Sequence, residues 1–199
     1  SKALAGCGMI FYTILSVNSK LKEENWYIKN NKEEPDLKKL IDILALGTVA
    51  DVVPLDYNNR IFVWHGINRI RKGLARPGIC ALADISKIDL ANITSTDFGF
   101  ALGPRINSAG RLEDMTIGIN CLLAETYEEA MKYAQELEDL NIRRKELTSE
   151  ISHDAYKQLD LPEDMSEHGL CVFGEDFNEG VIGIVASRLK ENYHRPVIV

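Results

Sequence analysis

The apolar positions Leu4, Met9, Ile10, Tyr12, Ile14 and Leu15 recur at helical spacing and predict a helix from about residue 3 to about 21. A polar surface connection follows, from Lys22 to Pro35. Asp36 is placed to cap a second helix carrying Leu37, Leu40, Ile41, Leu44 and Leu46, with Gly47 as its expected end. Asn58 and Asn59 precede a third, with Ile61, Trp64, Ile67 and Ile70 on one face and Gly73 and Pro77 closing the segment. Shorter helices are expected after Pro77-Gly78 and after Thr94 to Asp97, the last ending before Gly103-Pro104. Thr126 with Glu129 matches a capping box, and no Gly or Pro occurs from there to about Leu159. A helix of that length would run about 50 Å. Its single apolar stripe suits a connector between domains better than a core helix. Beyond Leu161-Pro162 the pattern changes. Leu170 to Phe173 reads as a buried strand, Gly180 to Ala186 opens a helix, and Pro196 to Val199 begins another strand, which is α/β grammar.

Composition narrows the class. The 199 residues are 45% hydrophobic and carry a net charge of −7, enough for one core or one core plus part of a second. No apolar run approaches the roughly 20 residues that span a bilayer, and the first residues do not form a leader, so a cytoplasmic protein is expected. Cys7, Cys80, Cys121 and Cys171 lie far apart among apolar neighbours and are expected to be buried free thiols. The acidic balance argues against a simple DNA-coating protein but leaves room for a nuclease with a local basic patch. Because the chain stops within its last strand, it is expected to be an internal fragment.

Four segments could carry chemistry. Asp51 is a lone carboxylate in Leu46 to Leu55, where it either ligates a metal or caps the next turn. Gly103 to Arg111 reads as a fixed loop whose Arg105, Asn107 and Arg111 could fork onto phosphate, or whose arginines pair with Glu113 and Asp114. The run Arg60, Arg69, Arg71, Lys72 and Arg76 contains no acidic residue and is either a phosphate track or a solvated helix face. The helix opening at Gly180 and Gly183 could present free amides to a phosphate. His65, His153, His168 and His194 are scattered, without metal-site spacing.

Several segments together resemble the DHH phosphoesterase superfamily, and within it the RecJ exonuclease branch. They are Ser1 to Gly6, Leu46 to Leu55, Gly99 to Asn107 with Ala109-Gly110-Arg111, Leu140-Asn141 with Arg144-Lys145, Gly180 to Leu189, and His194 to Ile198. The resemblance implies three parts: the C-terminal part of a DHH domain (1–125), a linker helix (126–160) and the start of an α/β DHHA1 domain (161–199). It implies manganese- or magnesium-dependent hydrolysis of single-stranded DNA from the 5′ end, in repair and recombination. On this resemblance Asp51 would be the last carboxylate ligand of the metal site. Arg105 would bind phosphate with Asn107 and Arg111 shaping its loop, and Asn141 and Arg144 would lie on the functional side of the linker helix.

The family's paired histidines and remaining metal ligands would lie upstream of Ser1, so the isolated chain is expected to be inactive. Asn178 stands where the RecJ pattern usually has a histidine. A single-strand-binding protein or a helicase is a further candidate partner, and no membrane is expected. Two other readings stay open: a phosphodiesterase of short oligonucleotides or cyclic dinucleotides, and a non-catalytic relative that only binds DNA or a replication partner.

Overall fold

The computed structural model describes residues 3–159 and 168–199. The Leu161-Pro162 junction lies outside them. The chain divides into two compact units: Ser1–Pro104 with Ile119–Ala134, and Arg105–Gly118 with Gln135–Val199.

The first unit is helical. It holds α1 (Gly6–Glu23), α2 (Trp26–Lys29), α3 (Ile41–Ala50), α4 (Tyr57–Arg71), α5 (Pro77–Ile85) and α6 (Ser95–Asp97). Leu44, Leu46, Ile70, Ile79, Leu82 and Phe98 are buried at its centre. Asp36 caps a 3-10 turn, Leu37–Leu40, that leads into α3. Gly47 does not end α3, which continues to Ala50 with Asp51 as its C-cap. The glycine serves close packing instead, since a Cβ there would lie 2.7 Å from the Cys7 Sγ. Helix α4 starts earlier than expected, because Asp56 caps it by accepting the Asn59 amide at 3.0 Å. Asn59 is itself buried and donates to the carbonyls of Ala3 and Pro54, at 2.6 and 2.8 Å.

Gly103-Pro104 is not a loop, contrary to the sequence-based expectation. A π-helical turn, Phe98–Leu102, runs directly into α7 (Gly103–Leu112). The Gly103 amide reaches back to the Phe98 carbonyl, an i→i+5 bond, and Pro104, which has no amide to donate, follows that wide turn directly. Helix α8 (Thr116–Leu123) then leads to α9 (Tyr127–Gln158), 32 residues without a break. The Thr126 hydroxyl accepts the Glu129 amide at 3.2 Å. The reciprocal bond of the expected capping box goes one residue astray, to the Glu125 amide at 3.3 Å.

In the second unit, β1 (Leu170–Cys171) and β2 (Val197–Ile198) pair in parallel on either side of α10 (Glu179–Tyr193). That is the strand–helix–strand order expected. Its core gathers Ile151, Ala155, Leu170, Val181, Val185 and Leu189.

Not all the cysteines are buried. Cys121 is, and burial pushes its thiol up to about 11, but Cys171 on β1 is exposed because alternate strand residues face opposite ways. At pH 8 a thiol of that kind is roughly one-thousandth thiolate. Thiol titration of the native protein should therefore modify Cys171 first and Cys121 last. A Cys121 that reacted as fast as Cys171 would mean that this part of the core opens readily.

Candidate nucleic-acid interface

Within the second unit, about two turns of α9 carry a hydrogen-bonded rail. Arg105 from α7 meets Glu138 side-on, with Nε 2.7 Å from Oε2 and Nη2 3.0 Å from Oε1. Asn141 donates to Glu138 at 3.4 Å and accepts from Arg144 Nη2 at 2.9 Å. Spacings of three residues put 138, 141 and 144 on neighbouring positions of the helix surface. Asn141 is only 1% exposed, so its amide fixes the rail from below. Ser108, also buried, donates to the Arg105 carbonyl at 2.6 Å.

The rail ends in a concentration of positive charge. Burial, and after it the charges of Arg111 and Arg188, hold the Arg144 guanidinium below its ordinary pKa. Its buried Nε has no hydrogen-bond partner. Arg111 spends one donor on the Gly180 carbonyl at 2.9 Å and is otherwise exposed. Arg188, on α10, is exposed and makes no ion pair among the described residues. Three guanidinium groups thus share a neighbourhood whose near carboxylate, Glu138, is already engaged by Arg105. An anion with several acceptor oxygens would relieve both the repulsion and the orphaned donor.

This geometry redistributes the expected roles. Arg105 does not project from a rigid loop. It lies on a helix, and its charge is met by Glu138 rather than by Glu113 or Asp114. Asn107 is exposed on the same helix, and Arg111 and Arg144 sit in the cationic cluster. Arg188 was missed, although it is the first basic residue after His168 in the sequence. Glu138 left no sequence signal, being one of many acidic residues on α9.

The helix opening at Gly180 and Gly183 does not offer free amides. Asn178 caps it: its side chain accepts the Gly180 amide at 2.9 Å, and its carbonyl accepts those of Val181 and Ile182. Gly180 is required for contact, since a Cβ there would lie 1.9 Å from the Arg111 carbonyl oxygen. Gly183 faces open space.

The basic run of the first unit divides in the same way. Arg76 is consumed by Asp42, Arg71 donates to the Ile93 carbonyl and Arg60 to the Leu55 carbonyl. Asp51, also in the first unit, is exposed rather than buried, and it does not cap the next helix, which Asp56 does. Among the described residues, no three His, Cys, Asp or Glu side chains come together to hold a metal ion. Asp51 offers a single carboxylate, and the described residues do not by themselves fit an ion site. No helix among them is long and apolar enough to cross a membrane.

No family model matches the chain. Among curated proteins it is 46% identical over 201 residues to the single-stranded-DNA-specific exonuclease RecJ of Salmonella typhimurium and, to the same extent, to that of Escherichia coli. Both alignments cover 100% of this chain and 35% of the relative, so the chain spans about a third of the length of these relatives. The Bacillus subtilis RecJ is 31% identical over 198 residues, with 23% of its length covered. Among solved structures, RecJ of Thermus thermophilus in complex with magnesium superposes with a TM-score of 0.72 at 30% identity, covering 86% of this chain and 26% of that one. An exonuclease RecJ bound to manganese gives the same score and identity over 42% of its length.

Proposed function

The chain belongs to the RecJ family of single-stranded-DNA-specific exonucleases, and from that premise we propose that it supplies part of the substrate path and one metal ligand of such an enzyme. The complete protein would hydrolyse single-stranded DNA from the 5′ end, in the cytoplasm, in repair and recombination. Its domain limits would be those implied by the resemblance: a DHH part at 1–125, a linker helix at 126–160 and a DHHA1 part from 161. Manganese or magnesium would be held by Asp51 together with ligands outside this stretch, and would supply charge neutralisation and an activated water. A single-strand-binding protein or a helicase would be its working partner.

The observation that carries this reading is the cluster of Arg111, Arg144 and Arg188, with the buried Arg144 Nε unsatisfied. Phosphodiester oxygens suit it, and contacts of this kind are made without reference to base sequence. Arg105, Asn107 and Asn141 belong to the same path. Arg105 closes it off by neutralising Glu138, and Asn141 fixes the Arg144 fork.

Arg144→Ala in the complete protein should weaken binding of a 5′-phosphorylated single strand by roughly tenfold, the value of one charge-assisted hydrogen bond. The loss should be similar for all sequences, and the dependence of binding on salt should become shallower by about one phosphate contact. Titrations across a salt series with calcium in place of the catalytic ion would measure both. An unchanged affinity and slope would mean that the cluster packs the unit and binds no strand.

A further inference from the structure

The first unit holds a hollow of about 300 Å³ that the substrate path does not use. Asp42 and Arg76 line it as a buried pair, and Lys39, Arg69, Leu74 and Leu123 stand around them. It forms because one guanidinium ties three segments together. Arg76 donates to Asp42, to the Lys39 carbonyl and to the Leu122 carbonyl. The approach to α3, the start of α5 and the end of α8 are thereby drawn around one point. Arg69, in the last turn of α4, joins the lining.

The sign of the hollow follows from what is already spent. The Asp42 oxygens accept from the Arg76 amide, Nε and Nη2 and from the Ile43 amide, so that pair is closed on itself. The helix ends nearby offset one another. A Cβ on Gly78, at the start of α5, would lie 2.1 Å from the Cys121 carbonyl oxygen of α8, so a positive helix end abuts a negative one. Lys39 and Arg69 remain. Neither is in an ion pair among the described residues, and the Arg69 Nε is buried without a hydrogen-bond partner. A buried donor without a partner is a place for a ligand's oxygen. Beside this charge the rim is apolar: Leu74 is 52% exposed and Leu123 66%.

We infer that the hollow binds a phosphate monoester carried on a body with an apolar face, and that its ligand class is the nucleoside 5′-monophosphates. The phosphate would meet Lys39 and Arg69 and accept the orphaned Nε hydrogen. The sugar and base would lie against Leu74 and Leu123. A dianion matches two unpaired cations better than a single carboxylate does. The volume stands at the lower end of small-molecule sites, enough for one nucleotide. A continuous strand fits less well, since it needs cations spaced along its length and here they stand in one hollow beside apolar side chains. The preference for nucleotides over other phosphate monoesters rests on the exonuclease reading, under which each cycle releases a nucleoside monophosphate.

Equilibrium dialysis of labelled thymidine 5′-monophosphate against the complete protein tests this, with chelator present so that no turnover occurs. Binding should be on the order of 100 μM and should weaken as salt is raised. Lys39→Glu and Leu123→Ser, both at exposed positions, should each reduce affinity about tenfold or more and leave exonuclease turnover on a saturating strand unchanged. Arg69→Lys, which keeps the charge and loses the Nε donor, should also weaken binding. Circular dichroism would check that all three variants are folded. Arg144→Ala should leave nucleotide binding as it is, so failure of the proposed strand path and failure of this site are separate results. Inorganic phosphate should bind more weakly than the nucleotide, and thymidine should not bind. Phosphate binding as tight as the nucleotide's would reduce the site to an anion hole and overturn the ligand class. Equal binding of thymidine, no binding at all, or affinity unmoved by Lys39→Glu and Leu123→Ser would overturn the site itself. A loss confined to Arg144→Ala would do the same by placing the nucleotide on the arginine cluster.

Discussion

Asp42→Ala should cost the folded protein about 3–5 kcal/mol, the range for removing one partner of a buried ion pair. The Asp42 carboxylate is 1% exposed and faces Arg76, whose side chain is 16% exposed, at 2.8 Å. It accepts the Arg76 backbone amide at 3.0 Å, the Nε at 3.2 Å and the Ile43 amide at 2.7 Å. Arg76 spends its remaining donors on the carbonyls of Lys39 at 3.1 Å and Leu122 at 3.2 Å. One guanidinium thus ties the approach to α3, the start of α5 and the end of α8. Without Asp42 it would be a buried charge with carbonyls alone for company. Total stabilities of about 5–15 kcal/mol leave little after such a loss. Replacing both residues, as Asp42→Leu with Arg76→Met, should recover much of it, because no charge is then stranded. Removing the exposed Lys20–Glu24 pair should change almost nothing. Denaturant midpoints by circular dichroism would rank the three. An Asp42→Ala loss below about 1 kcal/mol would mean that water reaches the pair.

That pair illustrates what the sequence conceals. Asp42 and Arg76 are 34 positions apart, and neither spacing nor composition distinguishes Arg76 from its neighbours in the basic run. Long-range partners of single charges are decided by tertiary packing. The same holds for Glu138, which meets Arg105 from 33 positions away while the nearer Glu113 and Asp114 do not. Local signals fared better. Helix α9 was legible because 32 residues without Gly or Pro leave the backbone no reason to break. The strand–helix–strand order of the second unit was legible because short apolar runs flank a segment of helical period. Gly103-Pro104 misled for a local reason as well. The dipeptide is a turn signal in isolation, but a π-helical turn just before it supplies the geometry that lets a helix begin there. Comparison with the RecJ structures carries the same helix-rich α/β reading.

The candidate site shows a related division. Residue types in Gly103 to Arg111 pointed to phosphate, and the arginines do gather, but the gathering point is Arg144 rather than Arg105. What moved it is a single carboxylate on α9. Arg105→Ala would remove a charge that Glu138 already meets. It would also release Glu138 into the cationic neighbourhood, so its effect on strand binding would work through Glu138 as much as through the lost arginine. Arg144 lacks that compensation, which is why its replacement is the cleaner probe of the path.

Asp51 should behave in the opposite way to Asp42. In the complete protein, Asp51→Ala should lower exonuclease turnover by about 100-fold or more and weaken manganese binding, while leaving stability unchanged or slightly raised. The argument begins with position. Asp51 is the C-cap of α3, its amide bonded to the Gly47 carbonyl at 3.0 Å, and its side chain is exposed. A carboxylate at a helix C-terminus faces the negative end of the dipole and costs roughly 0.5 kcal/mol. The next residue adds to the cost. Val52 takes the left-handed conformation at φ 53° and is 87% exposed, so a β-branched side chain occupies a position that favours glycine and gains no burial in return. Backbone strain of this kind persists where function needs it. A capping or packing role for Asp51 would predict a loss of stability on truncation, and a ligand role predicts none. Even replacing a residue that only hydrogen-bonds a metal's ligand costs about 10–100-fold, so loss of a direct ligand should reach the top of that range or beyond. Val52→Gly provides the control: it should stabilise the fold and leave metal binding in place. Calorimetric titration with manganese, thermal unfolding and nucleotide release would be measured on the same preparations. A variant that kept near wild-type turnover at limiting manganese, or that lost stability along with activity, would show that Asp51 holds the α3 terminus and not an ion.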